Sequence, residues 1–235
     1  MLINFKKYVD FKPQNVYEWH AIQETIKPDT VLFLETPDMV YLGPNASLEK
    51  NINIDFCKKN NISIVRGIYP GKSYYYREGD ALFLVLSTIK KVETDVINYI
   101  LLRAFKNLLP DIFLEDNDIR LGNKRIAMVG KSVQDYDHYI INAEIKYDID
   151  FESIKEIIQY HSFRWFDKPV RHIDEWILTL KELNISREQI KQEIIKVLEL
   201  YYNTKIEKRE LYDVEKLTPE IIEKYKNRTI SYTKN

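Results

Sequence analysis

Residues 117–134 read NDIRLGNKRIAMVGKSVQ and predict a β-hairpin. Two short runs of alternating apolar residues, NDIRL and KRIAMV, flank Gly122-Asn123, and a Gly-Asn pair is a hairpin turn signal. The second strand carries the adjacent cations Lys124 and Arg125 and runs into a Gly-Lys-Ser turn at 130–132. Backbone amides at such a turn and a nearby cation favour phosphate or carboxylate. The stretch therefore predicts either an anion cradle or a solvated hairpin with a basic tip.

The composition is that of a globular protein with nearly balanced charge. The 235 residues carry a formal charge of −1, and acidic and basic residues are interspersed. Without a basic run that could release counterions, we expect no nucleic-acid partner. No run of 18 apolar residues occurs and the N-terminus lacks the apolar core of a signal peptide, so we expect no membrane partner and a cytoplasmic location. The single cysteine, Cys57, excludes an intramolecular disulfide and fits a reducing compartment.

Helical and strand periodicities occur together along the chain and predict an α+β fold. Helices are predicted at 15–26, 47–61, 93–109, 148–158, 172–180, 187–202 and 218–226. Besides the hairpin, strands are predicted at 2–9, 30–34, 39–42, 62–66, 74–76, 81–88 and 139–147. Residues 81–88, ALFLVLST, form the most apolar strand and are expected at the centre of the sheet.

Three other patterns match catalytic or metal motifs only in part. Residues 70–73, PGKS, resemble the end of a P-loop, but Arg66 stands where that motif needs glycine and no helix follows. Residues 135–138, DYDH, could bind a divalent ion, although Asp-rich hairpin turns are usually solvated. Cys57 lies late in its predicted helix, where the helix dipole opposes a thiolate, and this position favours a core or surface thiol.

Four features in a fixed order resemble the catalytic domain of lipoate–protein ligases, within the biotin/lipoate ligase superfamily. Residues 31–66 are similar to the family's strand, Pro-x-Val-x-x-Gly strand, Asn and helix, and they end in a strand that bears Arg66. A Gly79-Asp80 turn then leads into an apolar strand, and Asn117-Asp118-Ile119 precedes a glycine turn and a Lys/Arg-Ile strand. Residues 140–154, IINAEIKYDIDFESI, resemble the family strand Leu-x-His-Gly-Thr-Ile-Leu-x-Asp-x-Asp-Phe. The resemblance spans about residues 15 to 180.

The resemblance implies an α+β fold with a mainly antiparallel or mixed central sheet flanked by helices and with a helical C-terminal end. It implies a ligase-like catalytic domain over residues 1–180, with residues 181–235 as a helical extension packed on the same domain. It implies ATP- and Mg²⁺-dependent attachment of lipoate or octanoate to a lysine of a lipoyl carrier domain through an acyl-adenylate. It leaves open whether an accessory subunit completes the active site.

The resemblance also assigns residues to the site. Lys124 and Arg125 stand at the family lysine that contacts the activated carboxyl group and the α-phosphate, so they are the candidate catalytic residues. Asp118 is the candidate Mg²⁺ ligand. This chemistry needs cations around the α-phosphate and backbone donors for the oxyanion. The candidate substrate- and nucleotide-binding residues are Arg66, Gly71, Lys72, Asn117, Asp118, Gly130 and Ser132. We expect Arg66, Lys72, Asp118 and Lys124 to converge on one cleft.

The chain departs from the family pattern at chemically critical positions. The family has two arginines and a Gly-Gly-Gly loop where residues 66–71, RGIYPG, keep one arginine and little of the glycine run. Bulky or rigid residues there obstruct the close approach that glycine permits. Arg125 is a planar fork where the family has a point charge, and 142–144 read Asn-Ala-Glu in place of His-Gly-Thr. These departures support a second hypothesis, a catalytically degenerate paralogue that binds an acyl ligand or a partner protein. A third hypothesis is ATP-independent acyl transfer, for which Cys57 is badly placed.

Overall fold

The computed structural model describes residues 5–67, 73–130, 133–135, 138–159, 173–211, 218–227 and 229–230. These residues form a large and a small β-sheet with helices packed around them. The chain is therefore an α+β protein with a mixed central sheet, as its sequence predicts. In the described ranges, no helix combines the length and the apolar character needed to cross a membrane.

The strands of the large sheet are β1 (Lys7–Phe11), β2 (Thr30–Glu35), β6 (Ala81–Thr88), β7 (Phe113–Glu115), β8 (Asp118–Leu121), β9 (Lys124–Val129), β10 (Val133–Asp135), β11 (His138–Lys146) and β12 (Glu207–Lys208). They follow the order β12-β1-β2-β6-β11-β9-β8-β7, and β10 pairs with β11. The sheet is mixed, because β1 runs parallel to β2 and β12 while the other strand pairs are antiparallel. The central strand β6 is buried along its whole length, which confirms the position predicted from its apolar sequence.

The small sheet consists of β3 (Met39–Leu42), β4 (Ile64–Arg66), β5 (Tyr74–Tyr76) and β13 (Thr229–Ile230). Its strands follow the order β13-β4-β3-β5, and it was not predicted as a separate sheet. Aromatic side chains of this sheet, Tyr41 and Tyr76, share an apolar cluster with Phe83 of β6. We call the surface of the large sheet that meets this cluster the inner face. The opposite, outer face packs against helices.

The helices are α1 (Val16–Thr25), α2 (Leu48–Asn51), α3 (Ile54–Lys59), α4 (Thr94–Lys106), α5 (Phe151–Ile157), α6 (Ile173–Trp176), α7 (Arg187–Tyr202) and α8 (Pro219–Lys226). Helices α4 and α7 cover the outer face, and α1 packs on the inner side. The boundaries of α1, α4, α7 and α8 lie within three residues of the predicted ones. A domain division at residue 180 stays a prediction.

Two helices differ from the predicted ones because contacts with distant parts of the chain interrupt them. The helix predicted at 47–61 is split into α2 and α3 at Asn53, whose side chain caps α3 and whose amide donates to the Ile157 carbonyl. The described part of the helix predicted at 172–180 is α6, and it ends at Trp176. Beyond it, Leu178 N–H donates to the carbonyl of Arg125 at 2.9 Å, so the chain pairs with β9 instead of continuing the helix.

The C-terminal segment contacts both sheets. Strand β12 extends the large sheet beside β1, and β13 pairs with β4 of the small sheet. Between them, α8 packs on α1, where the Tyr225 hydroxyl donates to the Glu24 carboxylate and Lys224 pairs with the same carboxylate. The Tyr225 ring is fully buried and stacks on His20 at 5.1 Å. These contacts attach β12, α8 and β13 to the rest of the fold.

Candidate functional site

The inner face of the large sheet carries a cluster of charged side chains. Side chains alternate along a strand, so Glu144 and Lys146 of β11 share one face while Ala143 and Ile145 turn to the helices on the other. The contact of Glu144 with Tyr76 of β5 shows that the charged face is the inner one. Charged groups are rarely buried unless they are paired, so this cluster is a candidate site.

Arg125 reaches the inner face because of a bulge in its strand. The pairing of β8 with β9 shifts register between Ile119 and Arg120. A bulge re-aims a side chain, and this one places Arg125 beside Met128, with 3.6 Å between its Nη1 and the sulfur. Arg125 is only 6% exposed.

Arg125 also contacts an acidic side chain and an aromatic ring. Its Nη1 lies 3.3 Å from Asp118 Oδ1 and 3.5 Å from Oδ2. Its guanidinium carbon lies 5.1 Å from the centroid of the Trp176 ring, a cation–π distance. Asp118 also pairs with Arg120 at 3.1 Å. Arg125 and Asp118, both predicted as site residues, are therefore in direct contact, and the guanidinium has a fixed orientation.

Lys124, the other candidate catalytic residue, has a different surrounding. Its Nζ donates to the backbone carbonyl of Asp174 at 3.0 Å, in an exposed contact with α6. Lys124 and Arg125 are neighbours in sequence, but Lys124 contacts α6 while Arg125 pairs with Asp118.

Asn117 and Gly130 shape the two ends of the hairpin. The Asn117 side chain accepts a 2.9 Å hydrogen bond from Asn98 of α4, and its carbonyl accepts from the Val129 amide. Gly130 donates to the Asn142 carbonyl at 2.8 Å, and a Cβ at Gly130 would lie 2.6 Å from the Asn142 Oδ1. A side chain at position 130 would therefore force Asn142 to move, and glycine avoids this contact.

Arg66 contacts the turn that follows β3. Its Nη1 donates to the carbonyls of Gly43, Pro44 and Ala46 at 3.0–3.2 Å. Arg66 also lines an open cleft of about 370 Å³ at the edge of the small sheet. Its guanidinium therefore holds a local turn.

Gly67 packs directly on an aromatic ring. A Cβ built there would lie 2.0 Å from ring and hydroxyl atoms of Tyr41. The Tyr41 ring thus fills the space beside the start of the predicted substrate loop. Gly71, Lys72 and Ser132 lie outside the described residues, as do parts of the PGKS and DYDH segments.

The charges on β11 were missed as site residues. Glu144 Oε1 accepts from Lys146 Nζ and, at 2.8 Å, from the Tyr76 hydroxyl. Lys146 Nζ also lies 5.6 Å from the centroid of the Tyr76 ring. All three side chains are buried, at 4–5% exposure. The available signal was two charges at alternate positions of an otherwise apolar strand.

Burial changes the proton affinity of this cluster. Burial lowers the pKa of Lys146, and the positive charge of Arg125 lowers it further, while Glu144 opposes both effects. Burial raises the pKa of the Tyr76 hydroxyl well above its usual value, and the charge of Glu144 adds to the rise. The tyrosine therefore stays a hydrogen-bond donor.

A second buried carboxylate lies in the turn between β5 and β6. Asp80 is fully buried, accepts from the Arg77 amide at 3.0 Å and pairs with the Arg77 guanidinium at 3.3 Å. Burial raises the pKa of Asp80 to about 6. Asp80 also accepts from the Asp150 amide at 3.5 Å and so ties the turn to the start of α5.

Neither metal chemistry nor a reactive cysteine finds support in the described residues. Within these ranges, no three His, Cys, Asp or Glu side chains are grouped to hold a metal ion. Asp118 is already neutralised by two guanidinium groups, so its assignment as a Mg²⁺ ligand stays a prediction. Cys57 is fully buried in an apolar cluster, and burial raises its pKa to about 11, so its thiol stays protonated near neutral pH.

Comparison with known proteins gives one sequence family and several similar folds. The sequence model of the lipoyl protein ligase A/B catalytic domain matches residues 14–199. No curated protein sequence matches the chain significantly.

Three solved structures share the fold at low sequence identity. The bipartite lipoate protein ligase of Thermoplasma acidophilum, described with its E2 lipoyl domain, is 14% identical, with a TM-score of 0.70 over 95% of this chain and 91% of that one. P. falciparum LipL1 in complex with lipoate is 13% identical, with a TM-score of 0.74 over 95% and 71% of the two chains. A lipoate-protein ligase A bound with ATP is 15% identical, with a TM-score of 0.67 over 94% and 92%.

Proposed function

Because the chain belongs to the lipoyl protein ligase A/B catalytic domain family, we propose that it attaches lipoate or octanoate to a lysine of a lipoyl carrier domain through an acyl-adenylate. ATP is the second substrate, used as its magnesium complex. The neighbouring structures with bound lipoate and bound ATP support this choice of ligands.

The observation that carries the proposal is the fixed guanidinium of Arg125 on the inner face. Activation brings a carboxylate and a triphosphate together, and both are anionic. A cation that is oriented in advance, in a site shielded from water, reduces this repulsion and stabilises the charge that develops. Asp118 and the Trp176 ring provide that orientation before any ligand arrives.

The reaction has two balanced steps. A carboxylate oxygen of the acid attacks the α-phosphorus of ATP, and the bond to the β-phosphate breaks to release pyrophosphate. The amine of the carrier lysine then attacks the acyl carbonyl and loses a proton, and AMP leaves with the electron pair of the broken C–O bond. The products are an amide, AMP and pyrophosphate.

A ligation assay tests the proposal. The chain, magnesium-ATP and lipoate or octanoate are incubated with an E2 lipoyl domain, and the domain is analysed by mass spectrometry. We expect one added acyl group, absent without ATP and absent when the acceptor lysine is arginine. Pyrophosphate is measured in parallel, because an accessory subunit, which stays a prediction, could be needed for transfer only.

A non-catalytic acyl-binding paralogue is the second candidate, and specific contacts favour it. Arg125 is already paired with Asp118, Arg66 is bound to three carbonyls, and the Tyr41 ring fills the space beside Gly67. In that case calorimetry would show binding of lipoate without pyrophosphate release or transfer. The absence of ligation, adenylation and lipoate binding together would contradict both candidates.

A further inference from the structure

We propose that Lys146 is a substrate-contacting cation of this site, whose ammonium binds the carboxyl group of the acid and then the acyl carbonyl of the adenylate. The inference rests on the proposed function and deepens it. It assigns the contact to a residue of β11, one strand away from the lysine position that the family resemblance indicates at Arg125.

The position of Lys146 supports this role. Strands β9 and β11 are paired, with Ala127 opposite Ile145. Lys146 is the next residue of β11 and therefore lies on the strand beside the one that carries Arg125. The two cations are near enough for the charge of Arg125 to act on Lys146. Both belong to the inner face, and together they would offer two positive charges to an anionic adenylate.

Lys146 keeps the capacity to bind another acceptor. An ammonium has three N–H donors. Among the described residues, Glu144 is the one group that accepts a hydrogen bond from Lys146. Two N–H groups of Lys146 can therefore donate to a carboxylate or carbonyl oxygen of a ligand, beside the Arg125 guanidinium that Asp118 and Trp176 hold in place.

The fold gives no evident reason for this buried pair. Replacing a buried ion pair by apolar groups is often neutral or stabilising, so stability alone does not account for it. The family strand to which residues 140–154 are similar has Thr and Leu at the positions of Glu144 and Lys146. These charges are thus a feature of this chain, placed between the two sheets and joined to Tyr76.

The chemistry of the proposed contact is electrostatic. The ammonium first neutralises the carboxylate of the incoming acid. In the second step it donates a hydrogen bond to the carbonyl oxygen, where negative charge develops as the amine attacks. Lys146 keeps its proton throughout, and Glu144 and Tyr76 hold it in position.

The chain offers a matched control in a second buried lysine. Lys191 of α7 is 9% exposed and pairs with Asp10 at 2.8 Å, on the helix that covers the outer face. Lys191→Met therefore removes the same kind of ion pair at another place. The experimental variants are Lys146→Met and the double variant Glu144→Gln/Lys146→Met, which removes both charges of the pair.

The readouts are thermal stability, kcat/KM for acid-dependent pyrophosphate release, and calorimetric binding of a non-hydrolysable lipoyl-sulfamoyl adenosine. We expect both Lys146 variants to lose about 100-fold or more in kcat/KM and to bind the analogue more weakly, as for loss of one carbonyl-binding donor. The double variant should be more stable than Lys146→Met. Lys191→Met should keep the wild-type rate and affinity.

The outcomes separate this inference from the proposed function. A folded double variant with wild-type rate and affinity would show that the pair is structural and would overturn the role of Lys146 alone. Unfolding of both Lys146 variants would show that the ion pair is needed for folding and would also overturn the proposed role of Lys146. A wild-type chain that releases no pyrophosphate with either acid would overturn the proposed function and this inference with it.

Discussion

The Tyr76 hydroxyl donates a 2.8 Å hydrogen bond to the Glu144 carboxylate and thereby links the small sheet to the inner face of the large one. The same carboxylate oxygen accepts from Lys146, so one buried anion connects both sheets and a buried cation. Any ligand that binds between the sheets has to fit around this contact.

The first prediction concerns that hydrogen bond. Tyr76→Phe removes a buried donor to a charged acceptor and should lower the free energy of unfolding by about 1 to 3 kcal/mol. Tyr75→Phe, on the opposite face of the same strand, is the control, since no hydrogen bond of its hydroxyl is found among the described residues. Urea denaturation measures both. Equal losses in the two variants would contradict the stabilising role of the contact.

The second prediction separates the two adjacent cations of β9. Arg125→Met should reduce acid-dependent pyrophosphate release about 100-fold, because it removes the oriented guanidinium. Lys124→Met should change the rate by about twofold or less, because its exposed ammonium contacts only the Asp174 backbone carbonyl among the described groups. A larger loss with Lys124→Met than with Arg125→Met would reverse the assignment.

The third prediction tests the packing beside the substrate loop. Gly67→Ala places a methyl group within 2.0 Å of the Tyr41 ring and should cost about 1 to 3 kcal/mol of stability through overpacking. Gly122→Ala is the comparison. The φ of +57° at Gly122 is strained for alanine, but a Cβ built there would meet no atom within 4 Å. Its cost should be about 1 kcal/mol. A stable Gly67→Ala protein would mean that the Tyr41 ring moves freely.

The fourth prediction concerns pH. Asp80 has a folded pKa of about 6, above the ordinary value of 3.8, so the folded state holds this proton more tightly than the unfolded state. Its contribution to stability is complete below about pH 4 and is lost as the pH rises through about 6.

The difference in unfolding free energy between wild type and Asp80→Asn, measured by urea denaturation at pH 4 and pH 7, isolates this group. The asparagine variant cannot ionise, so we expect wild type to lose stability relative to it on going to pH 7, by up to about 3 kcal/mol. A difference that stays constant, or that moves in wild type's favour at pH 7, would contradict the raised pKa.

The fifth prediction tests how firmly the C-terminal segment is attached. Tyr225→Ala removes a fully buried ring and its hydrogen bond to Glu24, and should cost about 3 to 5 kcal/mol. Tyr201→Ala, at a ring that is 47% exposed, should cost much less. Thermal denaturation compares the two. Similar melting temperatures would show that α8 adds little to the fold.

Local signals in the sequence were sufficient for part of this structure. The Gly122-Asn123 turn and the alternation around it predicted β8 and β9, and Gly122 has the positive φ expected of such a turn. Strands β12 and β13 have two residues each and form only because a distant strand is available, so no local pattern indicated them. The break at Asn53 likewise depends on Ile157, a hundred positions away along the chain.

The candidate site was predictable only in part for the same reason. The charges of Asp118 and Arg125 stood out in the hairpin, but their contact depends on a bulge that the sequence does not signal. Glu144 and Lys146 share a face by strand periodicity alone. Their partner Tyr76 lies 68 positions earlier and on the other sheet, so burial and pairing appeared only in three dimensions.

The most direct measurement is the release of pyrophosphate from magnesium-ATP by the purified chain, with and without lipoate or octanoate. It needs no carrier domain, so it tests the adenylation step by itself. We predict release that requires the acid and that falls about 100-fold in Arg125→Met. Release that is absent, or that is the same without either acid, would contradict the assignment of this face to acyl-adenylate formation.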